Sequence, residues 1–145
     1  MRLADLSLWQ REFVSRTLLK PVDPRYCIVW EDPAEPDAPM KVTTPSPRWL
    51  AMALAGGFLP PVETYLRDAE RADGEPKEHP YAPPIGQMTE IEAMEYLLQK
   101  DIPRRVWGDP SNRPRFAIVP RSSIPTDRTH RNAWRLADLT TRAAA

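Results

Sequence analysis

Proline sets the first limit on what this chain can fold into. It supplies 18 of the 145 residues, against only 5 glycines, where average chains carry about 5% proline and 7% glycine. Each proline fixes its own φ and removes a backbone donor. It also pushes the residue before it towards extended geometry. Glycine-rich linkers are floppy, whereas proline-rich ones are stiff. Regular structure is therefore expected only in the gaps between prolines. The fold class that follows is α+β: small and helix-rich, with few short strands and long proline-rich extended segments. Such segments make few backbone hydrogen bonds of their own, so they are expected to lie along another surface.

The gaps are readable one by one. Ser7 to Leu19 predicts a first helix, with Ser7 and Gln10 spaced as a capping box and with Leu6, Trp9, Phe13 and Leu18 near one stripe. Arg25 to Glu31 is β-rich and of strand length. Asp32 to Pro39, with three prolines and three acids, reads as a loop. Ser46-Pro47 is an N-cap followed by a proline at the first helical position, and Gly56-Gly57 supplies a left-handed stop. The helix between them is apolar nearly all round, so it belongs in a core or an interface. Pro60-Pro61 opens a further helical segment over Val62 to Ala72. Thr89 with Glu92 makes a second capping box, heading a helix that ends at Ile102-Pro103. Arg115 to Val119 predicts another strand, and Asp127 or Thr129 is placed to cap a last short helix through Ala133, Trp134 and Leu136. The organisation expected is a helical and strand unit over 1–72, a proline-rich linker over 73–87 and a C-terminal unit over 88–145.

Apolar residues are 41% and charged residues 28% of the chain, so it is neither an acidic tail nor a membrane protein. No apolar run approaches the roughly 18 residues that a membrane span needs. The first residues lack the apolar core of a signal peptide, so export is not expected. Net charge is zero, but it is segregated. Ile28 to Gln99 holds 13 acids and 5 bases, and Lys100 to Ala145 holds 10 bases and 4 acids. The two regions can satisfy each other, or an acidic partner can satisfy the second.

No catalytic constellation stands out. The single Cys27 sits in an apolar run and reads as a buried thiol. His79 and His130 lie far apart and lack the local spacing of a zinc site. The glycines form no phosphate loop. Neighbouring acids such as Glu31-Asp32 and Glu92-Glu95 read as solvated surface. No cofactor or metal is expected, and the chain reads as a non-enzyme. The arginines Arg104, Arg105, Arg113, Arg115, Arg121, Arg128, Arg131 and Arg135 are interleaved with Trp107, Phe116 and Trp134. That pattern suits phosphate binding and stacking, yet the neutral total charge argues against a strong non-specific nucleic-acid binder. Five tryptophans are many for this length. Tryptophan is typical of cores and of interface hot spots, so one or two of them are expected to anchor a contact between chains.

The segment Ile124-Pro125-Thr126-Asp127-Arg128-Thr129-His130-Arg131-Asn132-Ala133-Trp134 resembles the Pro-x-Asp-Arg-Thr-x-Arg-Asn-Ala-Trp signature of short proteins from tailed bacteriophages and prophages. The likeness extends back through Arg115 to Val119, Val106-Trp107 and Lys100 to Pro103 to the helix headed by Thr89. Such proteins are often encoded near tail and tail-fibre genes. The resemblance implies a virion component of the tail region, assembled in the host cytoplasm and present in several copies. Its partners would be tail or fibre subunits. On a helix Arg128, Arg131 and Arg135 share one edge, Asn132 ties backbone, and Trp134 faces elsewhere to plug an apolar pocket. With Trp107 and Trp49, these are the residues expected to hold a neighbouring subunit. Two other readings stay open: a fibre-assembly chaperone absent from the virion, and a small nucleic-acid-binding or host-takeover protein.

Overall fold

The run Tyr26-Cys-Ile-Val-Trp30 is β-branched and aromatic enough to stand at the centre of a sheet, and it does (β1, Tyr26–Trp30). The computed structural model describes residues 2–65, 83–108 and 115–124. Among them β1 pairs antiparallel on one side with β2 (Lys41–Thr43) and on the other with β3 (Phe116–Pro120), in the order β2-β1-β3. Val29 sits opposite Val42 and Ala117, which fixes the register of both pairs. Side chains alternate along β1, so it feeds two cores. Ile28 and Trp30 face the larger one. Cys27 and Val29 face the smaller, with Met40 and Val119.

Helices α1 (Leu8–Leu18), α2 (Pro47–Ala55), α3 (Glu90–Asp101) and the short α4 (Arg104–Trp107) all contribute to the larger core, on the Ile28 and Trp30 side of this sheet. The result is a small α+β fold. Local chemistry sets the ends of α1 and α3. Ser7 Oγ accepts the Gln10 N–H at 3.1 Å while Gln10 Oε1 accepts the Ser7 N–H at 2.9 Å. Thr89 and Glu92 repeat that exchange at 3.1 and 3.0 Å. Ser46 Oγ accepts the Trp49 N–H at 3.1 Å ahead of Pro47, and α2 stops at Gly56 and Gly57, both at positive φ. Gly56 pairs its φ of 75° with a ψ of 159°. It is therefore not the left-handed helical stop expected, but an extended positive-φ turn open essentially to glycine alone.

α2 and α3 supply the body of the larger core through Trp49, Leu50, Met52, Ala53, Met94, Leu97 and Leu98. Two elements were not expected from the sequence: β2, which is three residues long, and α4, which follows Pro103 directly. Only the start of the helix expected over Val62 to Ala72 is described, as a helical turn at 63–65. Most of the 73–87 linker and the whole segment from Pro125 onwards lie outside the described residues. The described end of the linker is not idle. Ile85 donates its N–H to Leu59 at 2.8 Å and accepts from Gly57 at 2.9 Å, and its side chain packs on the core. Strands and helices from both sides of that linker thus share one sheet and one core.

Candidate functional site

α1 is built inside out. Its buried residues are Arg11 and Ser15, both fully covered. Its largest apolar side chains point the other way, with Trp9 76% and Phe13 59% exposed. At 3.6 residues per turn, Trp9 and Phe13 fall roughly 160° around the helix from Arg11. Of the stripe read from the sequence, Trp9 and Phe13 share one side of the helix and face solvent, while Leu6 lies ahead of the helix and is half-buried. Leu18, 70% exposed, lies off this stripe at the end of the helix.

The inward side explains the orientation. Arg11 lies in the electrostatic reach of Tyr65 and Tyr96; burial pulls its guanidinium below the ordinary value and the two phenols push it back up. Those phenols belong to a packed aromatic group. The Tyr65 and Tyr96 rings meet edge to face at 6.0 Å, and Tyr96 lies 5.9 Å from Trp49. Tyr96 donates its hydroxyl hydrogen to the Pro60 carbonyl at 2.6 Å, and burial pushes its ionisation far above the ordinary range. Ser15 is satisfied locally, its hydroxyl donating to the Glu12 carbonyl at 2.6 Å. The inner face of α1 thus buries Arg11 and Ser15, and half-buried Val14 and Leu19 pack it against the larger core.

The outer face has a defined shape. Leu6, Trp9, Gln10, Phe13 and Val14 line a shallow apolar depression of about 350 Å³. Trp9, Gln10 and Phe13 share the outer side of the helix, and Leu6, in extended backbone ahead of it, lines the same depression. Isolated exposed apolar residues need no explanation, but a contiguous patch marks an interaction surface.

The residues expected to bind a neighbour fall elsewhere. Trp49 is only 9% exposed and part of the larger core. Trp107 is half-buried and donates its indole N–H to the Ile102 carbonyl at 3.0 Å. Arg128, Arg131, Asn132, Trp134 and Arg135 lie outside the described residues, as do His79 and His130. Three arginines that are described make long-range ties. Arg105 grips Asp32 through both carboxylate oxygens, at 2.7 and 2.6 Å. Arg121 reaches Asp23 at 3.0 Å and the Pro24 carbonyl at 2.9 Å, and Arg25 meets Glu90 at 3.0 Å.

Among the described residues no cluster of His, Cys, Asp and Glu could hold a metal ion. No described helix is long and apolar enough to cross a membrane. Cys27 is fully buried, and burial pushes its thiol up, so it lies away from the reactive thiolate form. Comparison with known proteins finds no matching family model, no matching curated protein and no matching solved structure.

Proposed function

We propose that this chain is a non-enzymatic structural component of a bacteriophage particle, at the tail tip, baseplate or fibre attachment, and that it holds a neighbouring subunit through the outer face of α1. The observation that carries the binding role is the reversed helix. A solitary subunit would bury Trp9 and Phe13 and leave Arg11 in water, because burying each large apolar side chain contributes about 1.5–3 kcal/mol. Here the aromatics are outside and the arginine is inside. Apolar side chains of a partner subunit, seated in the depression lined by Leu6, Trp9, Gln10, Phe13 and Val14, restore that burial. The setting in a phage tail is supported by the signature from Ile124 to Trp134. An apolar, uncharged face favours a protein partner over a nucleic acid, which is held chiefly by charge.

The test is a doubly substituted chain, Trp9→Ala with Phe13→Ala, followed into purified particles. Both side chains are largely exposed, so folding should survive, and incorporation should fall more than tenfold. Incorporation equal to the parent chain would sink the proposed face. Mass spectrometry of the same particles separates a virion component from an assembly chaperone, since a chaperone uses such a face but is missing from the finished particle.

A further inference from the structure

A second concavity lies where α1 meets the body, beside the outer face just described. It has a volume of about 320 Å³ and is walled by α1, the turn before α2, α2 itself and the end of α3. That is the lower end of the range for small-molecule sites. Its floor is buried and mostly apolar: Pro45, Trp49, Met52 and Leu97, with Ser15 beside them. The Trp49 indole N–H in that wall is buried and donates to no acceptor among the described residues. The rim is charged and predominantly cationic. Arg16 of α1 and Arg48 of α2 stand exposed on it, and Lys100 lies half-buried with its ammonium 5.9 Å from the Trp49 ring and 5.6 Å from the Tyr65 ring.

The acids on the rim do not cancel this. Asp101 is engaged by Lys100 at 2.9 Å, which leaves Arg16 and Arg48 against Glu12. The balance is one positive charge, and the N-terminal end of α2 adds a positive dipole end on the same side. Guanidinium groups bind carboxylates as a fork and stack on flat rings. An apolar floor holding one indole, below two such forks, suits a ligand with a flat apolar body and one carboxylate. We propose that this cleft is a binding site for a small aromatic carboxylate, whose ring rests on Trp49 and Met52 and whose carboxylate is held between Arg16 and Arg48. Because those arginines come from different helices, the bound anion also ties α1 to α2.

Phenylacetate is a suitable probe, with its neutral isostere phenylacetamide and with inorganic phosphate as comparisons. The full chain is titrated with each while the Trp49 indole N–H resonance is followed by NMR. Phenylacetate should move that resonance saturably with a dissociation constant of about a millimolar or tighter. Phenylacetamide and phosphate should each bind at least about tenfold more weakly, since each lacks one half of the recognised chemistry. Arg16→Ala with Arg48→Ala should weaken phenylacetate by about tenfold or more, and Arg16→Glu should do the same at an unchanged melting temperature. Equal binding of phenylacetamide would overturn the proposal, and so would affinity that survives both arginine changes. Phosphate binding as tightly as phenylacetate would show that charge alone is read, and would overturn it too.

Discussion

The Asp32 carboxylate shows how one residue couples distant parts of the chain. Rather than the solvated surface expected of it, it is 3% exposed, accepts two hydrogen bonds from Arg105 and takes a third from the Ala34 N–H at 2.9 Å. The Arg105 hydrogen bond, ahead of the other causes, holds its carboxyl well below the usual carboxylate range. A carboxyl whose folded value is depressed stabilises the fold fully above its unfolded value, about pH 4, and loses that contribution as the pH falls further. Thermal melts should therefore show a melting temperature that drops steeply below about pH 4, and Asp32→Asn should lower it at pH 7 while flattening the acid slope. An acid slope untouched by Asp32→Asn would show that another carboxyl is responsible. Gly56 is the second test at this scale. Its φ is 75°, and an added Cβ would stand 2.6 Å from the Gln87 nitrogen, a backbone atom with little room to yield. Gly56→Ala should cost about 1–3 kcal/mol in chemical denaturation, and a neutral result would mean that the turn relaxes freely.

At the scale of elements, capping was the most legible chemistry. Both capping boxes are a hydroxyl residue followed three positions later by Gln or Glu, so Ser7 with Gln10 and Thr89 with Glu92 could be read before any fold was known. Thr89→Ala should remove about 1 kcal/mol of stability, whereas Thr89→Ser should keep most of it; equal losses from the two would rule out the hydroxyl as the cause. The elements that escaped are those made by tertiary contact. β2 is Lys-Val-Thr, too short for any period; it is a strand because β1 pairs with it and Thr43 accepts the Trp30 indole N–H at 2.9 Å. α4 has four residues and its only fully buried side chain is Val106. The candidate site was half legible for a related reason. Periodicity locates the Leu6, Trp9 and Phe13 stripe, but it cannot say which side of a helix faces the body. What decides is Arg11, buried opposite the aromatics within the electrostatic reach of Tyr65 and Tyr96, and the sequence does not set it apart from Arg16 on the same helix. Trp49, by contrast, looked like an interface anchor on residue type alone. Its position in a helix that is apolar nearly all round, which left core or interface open, was the better guide, since Trp49 to Ala53 are buried.

At the scale of the whole molecule, the segregated charge and the sheet express one design. Acids early in the chain meet arginines late in it: Asp32 with Arg105 and Asp23 with Arg121. The hydrogen bonds of β1 follow the same plan, because its partner β3 lies some 90 residues on, with Cys27 opposite Val119. Of the fifteen buried side chains described in the larger core, seven come from Ala93 to Val106. A fragment ending at residue 72 would keep α1, β1, β2 and α2 but lose those seven, together with β3 and its whole row of backbone bonds. Chains of that size bury only about 60% of their surface even when intact, and are marginal. Here the central strand would also become an edge, with its unpaired N–H and C=O groups open to association. The isolated 1–72 fragment should therefore give no cooperative thermal transition by circular dichroism and should aggregate. Adding a second fragment that begins at residue 83 should restore the transition, because it returns α3, β3, Arg105 and Arg121 in one piece. A cooperative melt from 1–72 alone would mean that the first half folds by itself and that the long-range pairing only decorates it.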